Sequence, residues 1–160
     1  MNDAVHTTPP VGPLLARIGH LALMTPDLAR LTDFYVTIFG AAVTESTGNP
    51  AWKCIIDIAP GTALHLYEVP VSSARRHDDL QFDAGSINHF ALEAASPNAF
   101  LAIRAGLMAG GYADEAVVAA PHGYSLNAVD PDGLYLEVTL ARVEDWEPPF
   151  RTTAFLPMPG

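Results

Sequence analysis

The sequence predicts an α+β fold built from two tandem βαβββ modules, and three observations carry that prediction. A short apolar stretch, RIGHLALMTPDL at 17–28, returns as SINHFALEAASPNAF at 86–100. Each copy leads into a segment with apolar residues at helical spacing, and then into three extended stretches. The copies also keep step: His20 and His89 lie 69 residues apart, Pro26 and Pro97 71, and His65 and Glu137 72. That slow drift is what small loop insertions produce between duplicated supersecondary units.

The elements follow in order. Residues 1–16 read as an N-terminal extension, with Pro9, Pro10 and Pro13 and few apolar residues. The first module spans 17–69. Its first strand is Arg17–Met24, and a helix opens after Thr25-Pro26-Asp27, where a polar N-cap and an early proline suit a first turn. Leu28, Leu31, Phe34, Tyr35 and Ile38 then recur at helical spacing until Gly40 ends the helix. Strands are expected over Ala42–Glu45, Trp52–Ile58 and Thr62–Val69, with Pro60-Gly61 as the last turn. A polar, charged linker occupies 70–85. The second module, 86–140, repeats the order: a strand at Ile87–Ala94, then a helix opening at Ser96-Pro97-Asn98. Phe100, Ile103, Leu107 and Met108 mark its apolar stripe, and Gly110-Gly111 its end. Its remaining strands are Ala113–Ala119, Tyr124–Val129 and Leu134–Leu140, the last preceded by the turn Asp130-Pro131-Asp132-Gly133. The C-terminal extension, 141–160, carries Trp146, Phe150 and Phe155 among four prolines. It is aromatic enough to pack on a neighbouring surface or subunit.

Composition narrows the partners. The 160 residues are 49% hydrophobic and 16% charged, as in a folded domain with a real core. A net charge of −10 argues against a nucleic-acid partner, because an acidic surface repels phosphates. No apolar run approaches the roughly 20 residues that cross a bilayer, so no membrane partner is expected. The start lacks the basic and apolar regions of a signal peptide. The single cysteine, Cys54, suits a reducing compartment. The expectation is a soluble cytoplasmic protein.

Strand periodicity places the chemistry. Side chains alternate between faces, so His20 shares a face with Ile18, Ala22 and Met24, and His89 with Ala91 and Glu93. On the closing strands, His65 goes with Ala63 and Tyr67, and Glu137 with Tyr135 and Thr139. Leu64, Leu66, Leu136 and Val138 point the other way, towards the helices. A lone histidine on an apolar strand is usually a hydrogen-bonded structural residue. Here both copies supply a donor at both equivalent positions, and three imidazoles with one carboxylate suit a divalent transition metal such as Zn, Ni, Co, Fe or Mn. Glu68, three residues after His65, is a rival fourth ligand facing the other side. Trp52, Ile56, Tyr67, Ser125, Asn127 and Tyr135 are candidates to line a substrate pocket, and His122 is read as a turn residue near its mouth. The arginines of Arg75-Arg76-His77-Asp78-Asp79 belong to a solvated loop or contact an anionic substrate.

On the first-strand histidines and DPDGLYLEV, residues 130–138, the chain resembles the vicinal oxygen chelate superfamily of glyoxalases, bleomycin resistance proteins and extradiol dioxygenases. The resemblance covers about 17–140. It implies eight strands curling as a mixed sheet around a metal-binding cleft, commonly in a homodimer. It also implies that His20, His89 and Glu137 form the recurring two-histidine, one-carboxylate set. His65 takes the fourth place, where bacterial glyoxalase I usually has Glu and the epimerases often Gln. That departure points away from lactoylglutathione lyase activity itself. The leading expectation is a metal-dependent lyase or isomerase moving a proton on a small vicinal-oxygen substrate, with Glu137 as ligand and base and Tyr67 or Tyr135 assisting. Ring-cleaving dioxygenation on Fe(II) is the runner-up, and a small-molecule-binding resistance protein without catalysis the third.

Overall fold

Parallel pairing of first and last strands organises each module. In the computed structural model, which describes residues 17–70 and 84–154, β1 (His20–Thr25) runs parallel to β4 (Thr62–Glu68). Helix α1 (Leu28–Phe39) makes the crossover, and β2 (Ala42–Gly48) and β3 (Ala51–Ala59) complete a four-stranded sheet of order β1-β4-β3-β2. The second module repeats this with β5 (Phe90–Glu93), α2 (Pro97–Ala109), β6 (Val117–Ala120), β7 (Gly123–Val129) and β8 (Tyr135–Ala141). The eight module strands therefore form two sheets, and the tail adds a ninth, β9 (Thr152–Ala154), giving the order β5-β8-β7-β6-β9. The N-terminal extension, the linker arginines and Phe155 lie outside the described residues. No helix among the described residues is long and apolar enough to cross a membrane.

Local chemistry sets the boundaries. Asp27 is the N-cap of α1, its carboxylate accepting from the Arg30 N–H at 3.0 Å. Such a cap stabilises a helix by about 1 kcal/mol. Pro26 thus sits just before the cap and not in the first turn. Ser96 caps α2 and Pro97 takes its first position, where the missing N–H costs nothing. Gly40 ends α1 at φ 68°, a left-handed conformation that glycine adopts without strain. β6 starts later than the sequence pattern suggests. Asp114 accepts from the Ala116 N–H at 2.8 Å, and this turn keeps 113–116 out of the ladder.

One core joins the modules. Leu28, Leu31, Phe34 and Tyr35 of α1 meet Cys54, Ile56, Leu64 and Leu66, in one cluster with Phe100 and Leu107 of α2 and Leu126, Leu136 and Val138. The tail covers its own second module: Trp146 meets Tyr124 edge-on at 5.1 Å, and the Arg104 guanidinium lies 4.4 Å from the centre of the Phe150 ring. The neighbouring surface left open by the sequence is thus part of the same chain.

The DPDG turn does more than reverse the chain. Asp130 is buried, and its Oδ1 accepts from the N–H groups of Asp132 and Leu134, each at 2.9 Å. Its Oδ2 takes the Tyr35 hydroxyl of the first module at 3.4 Å, and Asp132 pairs with Arg30 of α1. Phe34 and Tyr112 add an edge-on contact at 4.7 Å. Burial pushes the Asp130 carboxyl from 3.8 up to about 6, against the two backbone N–H bonds that favour its charge. Burial also holds the Tyr35 phenol well above its ordinary value, with the charge of Asp130 adding to the effect, so it remains a neutral donor.

A raised carboxyl value makes the folded state hold a proton that the unfolded chain releases. This group's contribution is therefore greatest below pH 4 and is lost as pH rises from about 4 to about 6. The loss is on the order of 2–3 kcal/mol for a shift of this size. Asp130→Asn, which keeps an acceptor for both backbone N–H groups, is expected to gain on the wild type by that amount between pH 4 and pH 7. Denaturant unfolding at both values checks it, and an unchanged difference between the two proteins would refute it.

Candidate metal centre

Two pairs of donors stand on the sheet faces turned away from the helices. In the first module β1 and β4 register so that Ala22 faces His65 and His20 faces Ala63. His20 and His65 are therefore diagonal neighbours on one face. Their rings stack with centroids 4.0 Å apart and planes 5° from parallel. Burial, and next the neighbouring His20, hold the His65 imidazole below the ordinary histidine value. Leu64 and Leu66, its flanking residues, are fully buried on the other face.

Other candidates sort around this pair. Tyr67 lies on the His65 face, its ring 6.3 Å from that of the half-exposed Trp52. Ile56 does not line that face: it registers with Leu64 and is buried in the core, while Ile55 is the residue opposite His65. Glu68 faces the helix side, and its Oε2 accepts from the Leu28 N–H at 3.2 Å, at the start of α1. It caps a helix and does not approach the histidines' face.

The second pair is joined directly. His89 stands one residue before β5, and its Nε2 lies 3.2 Å from Glu137 Oε2. The Glu137 Oε1 accepts from the Ser125 hydroxyl at 2.5 Å, and His89 Nδ1 lies 2.7 Å from Asn88 Oδ1. Beside them opens a cavity of about 280 Å³ lined by Glu93, His122, Tyr124, Ser125, Glu137 and Thr139 among others. Gly123 makes the close approach here: a Cβ on it would lie 2.0 Å from the Leu140 carbonyl oxygen. Asn127 registers opposite Glu137, and with Tyr135 it lines a neighbouring cavity of about 240 Å³.

The two pairs do not merge within one chain. Among the described residues, no three His, Cys, Asp or Glu side chains group closely enough to hold a metal ion. The second pair nevertheless fits one edge of a metal site. Adjacent donors about 2.1 Å from an ion lie roughly 3.0 Å apart at octahedral angles and roughly 3.4 Å apart at tetrahedral ones. The 3.2 Å between His89 and Glu137 falls in that interval. Glu93 and Thr139 were legible on this face from strand period alone. Asn88 was not, because alternation in the expected strand Ile87–Ala94 puts it on the side away from His89, whereas β5 starts only at Phe90.

Comparison with known proteins agrees with this architecture. A model of the Glyoxalase/Bleomycin resistance protein/Dioxygenase superfamily matches residues 17–138. Among solved structures, a glyoxylase/bleomycin resistance protein/dioxygenase domain from Frankia sp. EAN1pec is similar, at 19% identity and a TM-score of 0.68, over 80% of this chain and 99% of that one. The fosfomycin resistance protein FosX from Listeria monocytogenes follows at 20% identity and 0.62, covering 82% of this chain and 98% of its own. A lactoylglutathione lyase from Agrobacterium tumefaciens shares 22% identity at 0.57, over 80% and 96%. No curated protein sequence matches the chain. At these identities the structures speak for the fold alone, while the family model covers most of the chain and meets the repeat, the closing-strand Glu137 and both first-strand histidines. The chain belongs to the glyoxalase/bleomycin resistance protein/dioxygenase superfamily.

Proposed function

We propose that this protein is a divalent-metal-dependent lyase or isomerase of the glyoxalase type, acting on a small substrate with vicinal oxygens. The observation that carries the reading is the His89–Glu137 pair, two donors 3.2 Å apart at the edge of a cavity of about 280 Å³. His20, His65, His89 and Glu137 would hold the ion. Two of six octahedral positions would then stay open for neighbouring substrate oxygens. Bound there, a divalent ion supplies Lewis-acid stabilisation of the negative charge that develops on a substrate oxygen.

The chain's own residues do the rest. Glu137, ligand and base in turn, would release the ion to take a proton on Oε2 from the carbon beside the oxygens and return it to the product, while Ser125 holds Oε1. Tyr67 and Tyr135 stand on the donor faces as hydroxyls able to hold a substrate oxygen. Ring cleavage on iron is less favoured, since four protein donors leave one position too few for a bidentate catecholate plus oxygen.

The separation of the pairs supports assembly from two copies. We infer that the first-module pair of one protomer meets the second-module pair of its partner in a two-fold dimer, giving two equal sites. Met24, on the His20 face, is 59% exposed, as expected of a face that a second copy covers.

Chain mixing tests this. His20→Ala and His89→Ala proteins, each purified alone, should hold less than a tenth of the wild-type metal. A mixed dimer, co-expressed with two different tags, should recover about one ion per two chains. It contains one doubly damaged site and one intact one. Mixed dimers that stay empty would show that each site closes within a single chain.

The ligand set is tested separately. His65→Ala should weaken metal binding measured by elemental analysis. Glu68→Gln should leave metal content unchanged and cost about 0.5–1 kcal/mol in unfolding free energy, through its helix start. The opposite pattern would move the fourth ligand to Glu68.

A further inference from the structure

We propose that Asn88 and Ser125 are positioning residues that leave His89 and Glu137 with one bare donor atom each, aimed at a shared cation. The inference rests on the metal-site reading above. A carboxamide oxygen only accepts hydrogen bonds. With Asn88 Oδ1 2.7 Å from His89 Nδ1, the ring proton belongs on Nδ1, and the lone pair of the neutral imidazole falls on Nε2. A carboxylate likewise only accepts, so the Ser125 hydroxyl spends its proton on Glu137 Oε1 at 2.5 Å. The atoms left over are Nε2 and Oε2, which face each other at 3.2 Å.

Two lone pairs at that distance repel unless positive charge lies between them. A second ring proton on His89 Nε2 can supply it, or a metal cation in that proton's place, and the two compete for the same gap. The arrangement is a half-site that a divalent cation completes by displacing that proton. The two holding groups come from separate elements, Asn88 from the segment before β5 and Ser125 from β7. Each therefore orients its ligand independently. In the first module the two imidazoles orient each other by stacking, and no such helpers are needed. Partners of this kind typically change metal affinity 10- to 100-fold.

The test uses the full-length protein, cobalt(II) titrations followed by visible absorption, and nitrogen NMR of the metal-free histidines above pH 8. Asn88→Leu and Ser125→Ala should each weaken cobalt binding at least about 10-fold. Asn88→Asp and Ser125→Thr, which keep the acceptor and the donor, should restore it. His89 should carry its proton on Nδ1 in the wild type and shift towards the Nε2–H form in Asn88→Leu. Wild-type affinity in both Asn88→Leu and Ser125→Ala, or an Nε2–H ring in the wild type, overturns the proposal. His89→Ala and Glu137→Ala separate the two layers. If they lose cobalt while Asn88→Leu and Ser125→Ala keep it, only this inference fails; if they too bind normally, the metal-site reading fails with it.

Discussion

The constraint on which the molecule depends is the strict alternation along its two closing strands. Leu64 and Leu66 must reach α1, and Leu136 and Val138 must join the same core; all four are at most 1% exposed. Replacing such a leucine by alanine typically costs 2–5 kcal/mol, far more than any single donor contributes. With a period of two, burying those residues forces His65 and Glu137 to the opposite face. The parallel partners β1 and β5 lie beside them and bring His20 and His89 alongside. His65 and Glu137, two of the proposed metal donors, are thus placed by the apolar residues between which they stand.

The modules are then locked to one another on the helix side, away from the donors. Tyr35, Phe34 and Arg30 of α1 reach Asp130, Tyr112 and Asp132 of the second module. A buried carboxyl serving three donors is held by each of those bonds, while its burial makes the charge they favour costly. With the helices and the DPDG turn committed to this joint, the two donor faces are held apart within the chain. Separation of the pairs is thereby a consequence of the core and its clamp, and the uncovered faces are those that the proposed assembly would bring together.

Much of this was legible beforehand for a physical reason. The repeat offset, the glycine at the end of α1, and the Leu-x-Leu and Leu-x-Val frames of β4 and β8 are local signals, and local signals survive in a single sequence. Ile56 shows where they stop. Its face depends on the register of β3 against β4, which pairs Ile55 with His65, and register is a property of two strands. The Asp130–Tyr35 contact joins residues 95 positions apart, and nothing in either neighbourhood announces it. Phe150 was legible as a residue that packs on a neighbouring surface or subunit, but the choice of Arg104 and Phe100 in the same chain was not. Asn88 is a third kind of miss, since strand alternation sends it to the face opposite His89, and only the late start of β5 lets it meet that ring.

The proposed donor set, if it holds a metal, also bears on chemistry. Three neutral imidazoles and one carboxylate lower the charge of a divalent ion by a single unit, where a second carboxylate in the place of His65 would cancel it. An ion left with net positive charge stabilises a developing enolate more strongly, because the Coulomb energy scales with that remaining charge. The same feature makes the ion easier to lose, as one anionic donor binds less tightly than two. Orientation then counts for more. Ser125 on Glu137 and Asn88 on His89 fix the ligands before the ion arrives, so that binding energy is not spent on ordering them. A site with one carboxylate thus has more need of such helpers than a site with two, and the only carboxylate in this set is the one Ser125 holds.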